Sequence, residues 1–296
     1  MKQLLTSILC FIFTLSLAQN RMPAPDEVRV SIANSIKDLH VKPEQITLVE
    51  NKLVDSIPIR IYNPNPKKKL PIIYLVHGAV WVAGDLDTHD NICRYLANHA
   101  EAIVVAVNYR RAPEHKFPAA FDDCYAVMKW ISSNTDKLNG NGKLVLIGDS
   151  AGGQLVGSLC LMNASEEKPI PITAQVLVDP ALDLSKDSDS YSAYGFFIDW
   201  YLNKTDSTND IRISPLLAKD FKKTPKAIVV VAENDRIRNE GERFHQKLLD
   251  AGVSSVLYVQ PNVGHLGADW CAGSERAFPS MTFVIAELRN ILDERN

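Results

Sequence analysis

Short apolar runs alternate with segments of helical periodicity over most of this 296-residue chain. A run of four or five apolar residues flanked by polar ones is typical of a strand buried on both faces. The runs are Ile72–Val76, Ile103–Val107, Leu144–Ile147, Ala174–Val178, Ala227–Val231 and Val256–Val259. Two earlier segments, Gln45–Val49 and Ile57–Tyr62, are also predicted strands, and the second ends at Asn-Pro-Asn-Pro. Strands that alternate with helices predict an α/β fold with a mostly parallel central sheet flanked by helices.

One long segment interrupts this alternation between the strands ending at Val178 and starting at Ala227. It is polar at first and then carries six aromatic residues, namely Tyr191, Tyr194, Phe196, Phe197, Trp200 and Tyr201. Connections of this length are usually lids or binding elements. The segment predicts either a helical cap or a helix that only packs on the sheet, and the pattern does not separate the two.

The first residues are typical of an export signal. Lys2 is followed by the almost wholly apolar stretch Leu4–Leu17, and small residues occupy the positions before a cleavage after Ala18. The stretch is short for a membrane span, so no stable anchor is expected. We expect a signal peptide at 1–18, a single domain at 19–296, and a secreted or periplasmic protein.

Charge and cysteine content narrow the function classes. A net charge of −3 and a pI near 6.2 give no electrostatic basis for a nucleic-acid partner. Four cysteines follow the predicted signal, at 93, 124, 160 and 271. Export allows disulfides between them, and apolar helical surroundings allow buried free thiols. Because no pair has metal-ligand spacing, we expect no zinc site and no other metal.

A serine stands in the strand–turn–helix context of a nucleophile elbow. The strand Leu144–Ile147 runs directly into Gly148-Asp149-Ser150-Ala151-Gly152, and a helical pattern follows at Gln154–Met162. In such a turn the serine adopts a strained backbone conformation, and side chains two residues before and after it would collide with neighbouring chain. The helix amino terminus favours the negative charge that develops during attack. Ser150 is therefore the predicted nucleophile.

The base and the acid are expected in loops after later strands, in the order serine, acid, histidine. His265 follows the strand Val256–Val259, whereas His245 lies in a helical pattern. Asp235 follows the strand Ala227–Val231 and is the predicted partner of the imidazole. Glu233 and Asp179 are the alternatives for the acid.

Motifs spread over most of the chain resemble the hormone-sensitive-lipase-like family of esterases, the bacterial family IV group. They are His77-Gly78 with Trp81, Gly84–Asp90, Tyr109-Arg110, Ala112–His115, Phe117–Ala120, Asp122-Asp123, Gly148–Gly153, Ser214–Leu216, Ala232-Glu233 with Asp235, and Glu240-Gly241. The resemblance implies an α/β-hydrolase fold, a Ser150–Asp235–His265 triad and a cap built from about 19–45 and 185–213. It also implies an oxyanion hole formed by main-chain N–H groups of Gly78, Ala79, Val80 and Ala151.

The chain departs from the family pattern in the loop that follows His77. Ala79 and Val80 stand where the family usually has glycines, and Gln154 stands where it has asparagine. The N–H groups are retained, but a positive φ at either position would be strained, more so for β-branched valine. Since Val80 adds bulk near the expected acyl site, we predict a preference for short acyl chains.

These features predict a serine carboxylesterase that acts on small-molecule esters and needs no cofactor. One alternative is the same chemistry on an acetylated or formylated small molecule, as a deacetylase or amidase. A second is a hydrolase-fold protein that binds its ligand without catalysis. The sequence leaves the oligomeric state open, with a homodimer allowed.

Overall fold

A computed structural model describes residues 22–273 and 278–294. The predicted signal peptide at 1–18 lies outside the described residues. The strands are β1 (Leu48–Val54), β2 (Ile57–Asn63), β3 (Leu70–Val76), β4 (Ile103–Val107), β5 (Gly140–Asp149), β6 (Ala174–Val178), β7 (Lys226–Ala232) and β8 (Ser255–Gln260). The helices are α1 (Pro25–Lys37), α2 (Asp90–His99), α3 (Ala119–Ser133), α4 (Ala151–Ala164), α5 (Asp189–Tyr201), α6 (Arg238–Asp250), α7 (Gly267–Ala272) and α8 (Phe278–Asp293).

The strands form one eight-stranded sheet in the order β1-β2-β4-β3-β5-β6-β7-β8. β2 is antiparallel to both of its neighbours, and the strands from β4 to β8 in the sheet order are parallel. The carboxyl ends of parallel strands meet along one edge, where the connecting loops form sites. The predicted α/β-hydrolase fold is confirmed.

Strand β1 differs most from the prediction. The apolar pattern places it at Gln45–Val49, whereas the strand runs from Leu48 to Val54. All of its side chains except that of Val54 are exposed, so burial does not reveal its limits. Its bounds come from antiparallel pairing with β2, which extends from Leu48↔Asn63 to Val54↔Ile57.

Side chains of the central strands alternate between two cores, one on each face of the sheet. In β3, Ile72 and Tyr74 pack in one core, while Ile73 and Leu75 pack in the other. Helices α3, α4 and α6 cover the first face, and α2 and α8 cover the second. Burial on both faces explains why these strands are nearly continuous apolar runs.

Helix α1 is fastened to the loops at the carboxyl edge by one arginine. Arg29 donates from Nε to the main-chain oxygen of Val82 (3.0 Å) and from a terminal nitrogen to that of Ala112 (3.2 Å). It also forms an ion pair with Glu114 at 2.6 Å. These contacts span more than fifty residues of sequence and join α1 to the loops that follow β3 and β4.

Helix α5 is fastened by a buried carboxylate at the start of α6. Glu240 is 1% exposed and accepts hydrogen bonds from the N–H groups of Leu182, Asp183 and Ser190 and from the Ser190 hydroxyl, at 2.6–3.0 Å. Burial raises the pKa of Glu240 to about 7, against the opposing effect of these donors. One side chain thus joins the amino terminus of α5 to the loop after β6.

The cysteines resolve the alternative that the sequence leaves open. Cys93, Cys124, Cys160 and Cys271 are buried and free. Cys10 lies outside the described residues. Within the described part of the chain, none of the helices has the length and apolar character needed to cross a membrane.

Candidate active site

Ser150 lies in the sharp turn between β5 and α4. Its φ of +51° and ψ of −116° are strained for a residue with a side chain, as the elbow predicts. A Cβ at Gly148 would collide with the carbonyl of Gly152, and one at Gly152 would collide with the carbonyl of Val76. The tight turn therefore requires both glycines, since Gly152 packs against the end of β3 and Gly148 packs against the start of α4. The turn places Ser150 at the carboxyl edge, beside the amino terminus of α4 that begins at Ala151.

His265 and Asp235 meet in a direct hydrogen bond at the same edge. His265 Nδ1 lies 2.7 Å from Asp235 Oδ2, and the two loops follow the neighbouring strands β8 and β7. Because a carboxylate accepts, this bond places the imidazole proton on Nδ1 and leaves Nε2 for the opposite side of the ring. Burial lowers the pKa of His265, but the neighbouring carboxylates, first among them Asp235, raise it to about 9.

The two alternative acids have other partners. Glu233 accepts a hydrogen bond from the N–H of Asn262 (2.7 Å) and so braces the loop before His265. Asp179 accepts from the N–H groups of Ala232 (2.7 Å) and Leu266 (2.6 Å). Its carboxylate is 3.8 Å from His265 Nδ1, a longer contact than that of Asp235.

Asp179 is a buried carboxyl group inside the candidate site. Burial raises its pKa to about 7, although the charge of His265 lowers it. Its backbone is tied to the next strand by the bond from its N–H to Val230 O (2.8 Å), and its φ is +42°. Asp179 therefore links the loops that carry Asp235 and His265, and it lies near His265 without the direct contact that Asp235 makes.

Ser150 and His265 share the carboxyl edge of the sheet, and the hydrogen bond of His265 described above is with Asp235 rather than with the Ser150 hydroxyl. Catalytic hydrogen bonds are often long before a substrate binds and tighten in the complex. The ring of Tyr194 in α5 lies 5.8 Å from that of His265, centre to centre. Helix α5 thus approaches the site from outside the sheet.

The loop after β3 has a left-handed backbone without glycine. Ala79, Val80 and Trp81 have φ of +79°, +52° and +59°. The N–H groups of Val82 and Ala83 donate to Ala79 O at 3.2 and 3.0 Å, which closes the turn. The chain therefore adopts this turn without glycine at the expense of strain at three consecutive residues. The left-handed conformation of each of these residues costs on the order of 1–2 kcal/mol of folding free energy.

A buried side-chain network holds this turn in place. Trp81 is fully buried, and its Nε1–H donates to Gln154 Oε1 at 3.0 Å. Gln154 in turn donates from Nε2 to Ser158 Oγ (2.9 Å) and to Arg212 O (2.7 Å). The Trp81 ring also stacks on Tyr201 at the end of α5, with centres 4.9 Å apart. Trp81 belongs to a family motif and Gln154 departs from one, but the contact between them arises only in the folded chain.

Two groups of side chains have atoms close enough to share a metal ion within the described residues. One is Asp179, Asp235 and His265, which belongs to the site above. The other is His89, Asp149 and Cys271, and all three of these residues are buried. The first group contains the hydrogen-bonded pair of Asp235 and His265 described above.

Comparison with known proteins is consistent across sequence and structure. The α/β-hydrolase fold family matches residues 72–268. The arylesterase of Saccharolobus solfataricus is 34% identical over 252 residues, 80% of each chain, and the ethyl acetate hydrolase of Pseudomonas putida is 31% identical over 71% of each chain. The structure of a hyperthermophilic esterase from the archaeon Pyrobaculum calidifontis superposes with a TM-score of 0.83 at 30% identity, covering 94% of this chain and 97% of that one.

Proposed function

Because this chain belongs to the hormone-sensitive-lipase-like family of α/β-hydrolases, we propose that it is a serine carboxylesterase with Ser150, Asp235 and His265 as its triad. The observation that carries the proposal is the 2.7 Å bond from His265 Nδ1 to Asp235, beside a strained serine turn at the same edge. That bond fixes the imidazole with Nε2 free to accept the serine proton.

The proposed reaction has two halves. Ser150 Oγ attacks the ester carbonyl while His265 Nε2 takes its proton, and the charge on the carbonyl oxygen is held by main-chain N–H groups. His265 then gives that proton to the departing alcohol, leaving an acyl-serine. Water attacks the acyl group with His265 again as base, which releases the acid and restores Ser150. Asp235 stabilises the imidazolium that forms in each half.

The proposed oxyanion donors are the N–H groups of Gly78, Ala79, Val80 and Ala151. Ala151 opens helix α4, so its N–H is among those that have no partner inside the helix. The left-handed turn at Ala79 and Val80 turns successive N–H groups toward one side, which suits the binding of a negative oxygen.

The triad is tested with p-nitrophenyl acetate on the purified chain. Ser150→Ala is expected to lower kcat by about 10⁴-fold or more, and Asp235→Asn by about 10⁴-fold, because an amide no longer holds the correct imidazole tautomer. Glu233→Gln is the matched control and is expected to retain most of the activity. Wild-type turnover no greater than that of Ser150→Ala would overturn the esterase proposal and favour a ligand binder of the same fold.

We further propose that short acyl chains are preferred. The motivating features are the bulk of Val80 in the turn, its 3% exposure, and the ethyl acetate hydrolase among the relatives. Acetyl and butyryl esters are expected to give a higher kcat/KM than octanoyl esters. Val80→Gly is expected to reduce the difference in kcat/KM between short-chain and octanoyl esters. A wild-type kcat/KM that is highest on octanoyl esters would contradict the proposal. Amide and acetylated-sugar substrates in the same panel test the deacetylase or amidase alternative.

The predicted export of the chain is also kept as a proposal. Cleavage after Ala18 would leave Gln19 as the first residue of the mature protein. Intact-mass measurement of the protein from culture medium or periplasm tests this, and a mass that includes Met1 would contradict it.

A further inference from the structure

A second cluster of reactive side chains lies beneath the nucleophile turn. His89 stands just before α2, Asp149 ends β5, and Cys271 lies in α7. His89 Nε2 is 3.0 Å from Cys271 Sγ and 3.2 Å from Asp149 Oδ1. The three residues are 2%, 3% and 4% exposed, for His89, Cys271 and Asp149 respectively. A nitrogen, a sulfur and a carboxylate oxygen thus converge on one point in the interior.

The surroundings of His89 orient it for ligation. Its other nitrogen, Nδ1, is 3.0 Å from Thr88 Oγ1, so the ring is held with Nε2 toward the cluster. Metal-binding imidazoles usually have such a partner on the second nitrogen. Thr88 is itself held by the N–H of Asp85 at 2.8 Å.

A neighbouring histidine has an unpaired buried nitrogen, although it lies outside the group of three ligand atoms. His77 is 1% exposed, and its ring centre is 5.5 Å from that of His89. Since a carbonyl only accepts, the contact from Nδ1 to Gly78 O (3.0 Å) places the proton of His77 on Nδ1. Its buried Nε2 then has a lone pair without a hydrogen-bond donor. A polar atom left unpaired at this depth is unusual, and it adds a lone pair to the surroundings of the cluster.

We propose that His89 Nε2, Asp149 Oδ1 and Cys271 Sγ form a binding site for a thiophilic divalent cation of the zinc class. Thiolate and imidazole together favour this class over calcium or magnesium, which prefer oxygen ligands. On binding, the ion takes the place of the thiol proton, so a sulfur–metal bond forms and one proton leaves to solvent. The site is separate from the Asp179–Asp235–His265 group.

Occupancy would disturb the active site, because the cluster is tighter than a metal centre. Bond lengths of about 2.0–2.1 Å to nitrogen or oxygen and about 2.3 Å to sulfur give tetrahedral ligand separations of roughly 3.4 Å and 3.6 Å. The present separations are 3.2 Å and 3.0 Å. The ion must therefore push Asp149 and Cys271 outward by a few tenths of an ångström. Asp149 precedes Ser150, and Cys271 lies in the helix that follows His265.

The expected consequence is inhibition, since small displacements of reacting groups reduce turnover strongly. This consequence rests on the proposed esterase activity, whereas binding of the ion does not. Because all three ligands are buried, uptake requires local opening and inhibition is expected to develop slowly after mixing. Spacing along the sequence predicts no zinc site because the ligands come from positions 89, 149 and 271, which only the fold brings together.

Binding is tested first, with Co²⁺ as a spectroscopic probe of the full mature chain. We expect one equivalent to bind, with a sulfur-to-cobalt charge-transfer band in the near ultraviolet that Zn²⁺ abolishes. Cys271→Ser is expected to lose the band. Cys160→Ser is the matched control, because Cys160 is a buried free thiol in the other core. This variant is expected to keep the charge-transfer band. His89→Gln, which keeps the thiol, is expected to weaken binding at least tenfold and covers the case in which Cys271→Ser does not fold.

Activity is then measured as the ratio of turnover with and without Zn²⁺ for each variant. With Zn²⁺, kcat of wild type and of Cys160→Ser is expected to fall by about tenfold or more, with little change in KM. EDTA is expected to restore kcat. Absence of the charge-transfer band in wild type overturns the proposal, as does a band that survives in Cys271→Ser. Inhibition without the band assigns the ion to the His265 group and also overturns it. If the chain proves not to be an esterase, the cobalt spectra still decide whether the site exists.

Discussion

At the scale of single residues, the loop after β3 shows how side chains replace glycine in a left-handed turn. Ala79, Val80 and Trp81 all adopt positive φ, and such a conformation persists only where the surroundings hold it. The surroundings here are specific. Trp81 is bonded to Gln154 and stacked on Tyr201, and its carbonyl accepts from the N–H of Ala112 at 3.0 Å.

The bond between Trp81 and Gln154 is therefore expected to support catalysis. Gln154→Leu leaves the buried indole N–H without an acceptor, which costs about 1–3 kcal/mol of folding free energy. We expect kcat on p-nitrophenyl acetate to fall by about tenfold or more while KM changes little, since oxyanion donors act on the transition state. Urea unfolding and steady-state kinetics measure the two effects.

A double-mutant cycle with Trp81→Phe separates this bond from general packing. If the bond carries the effect, the double variant should lose little more than either single variant, because both remove the same contact. Losses that simply add would show that the two residues act independently.

The pKa of His265, raised to about 9, predicts the pH dependence of turnover. The base must be unprotonated, so kcat/KM is expected to increase with pH through the range from 7 to 9. Asp179→Asn removes one of the negative charges that raise the pKa of His265, so the rise in activity should move about one pH unit lower. Asp122→Asn, a change at an exposed aspartate of α3, is the control and should leave the profile in place. A profile that Asp179→Asn leaves unchanged would contradict the role given to this carboxylate.

At the scale of elements, one buried carboxylate joins two helices. Glu240 at the start of α6 holds the amino terminus of α5 through Ser190 and the loop after β6 through Leu182 and Asp183. Helix α5 also contributes Tyr194 beside His265 and Tyr201 beneath Trp81. Its attachment therefore affects both sides of the candidate site.

Removal of the Glu240 carboxylate is expected to loosen α5. Glu240→Ala leaves three main-chain donors without acceptors, each worth about 1–3 kcal/mol when buried. We expect faster amide hydrogen exchange over 189–201 and over 182–184, while exchange in α8 is unchanged. Glu242→Ala, which removes a half-exposed carboxylate on the same helix, is the control. Equal exchange in α5 for both variants would show that other contacts hold the helix.

The elements and the reacting residues differ in how far sequence predicts them. The central strands are predictable because burial on both faces makes them apolar runs, and the turn at Ser150 is predictable because Gly148 and Gly152 meet backbone. The limits of β1 are not predictable, because its side chains are exposed and only its pairing with β2 defines where it begins and ends. Contacts such as Trp81–Gln154 and His89–Cys271 join distant segments, and no local pattern signals them.

At the scale of the whole molecule, the buried ionisable groups predict how stability depends on pH. The pKa values of Asp179 and Glu240 are raised to about 7 and that of His265 to about 9. A group with a raised pKa binds its proton more tightly in the folded protein, so its contribution is complete at low pH and is lost as pH rises through that value. Asp179 and Glu240 therefore lower stability as pH rises from about 4 to 7, and His265 does so from about 6.5 to 9, so the effects follow one another in the same direction.

The free energy of unfolding is accordingly expected to decrease from pH 5 to pH 9 in urea titrations. Glu240→Gln should flatten the part between pH 5 and pH 7, where the contribution of this residue is on the order of 3 kcal/mol. Stability that stays constant or increases over this range would contradict the assignment of these raised pKa values.

The bonds of Arg29 have a practical consequence for anyone who trims this protein. Helix α1 precedes the first strand and looks dispensable in a search for a minimal domain, yet its arginine occupies the carbonyls of Val82 and Ala112. A truncation that starts at β1, or cleavage by a protease after Lys37, would deprive those carbonyls of their hydrogen-bond donor. Every proposed reacting residue would stay in place. A preparation shortened in this way would keep the proposed triad and is expected to show too low an activity, so fusion tags and cleavage sites belong before Pro25.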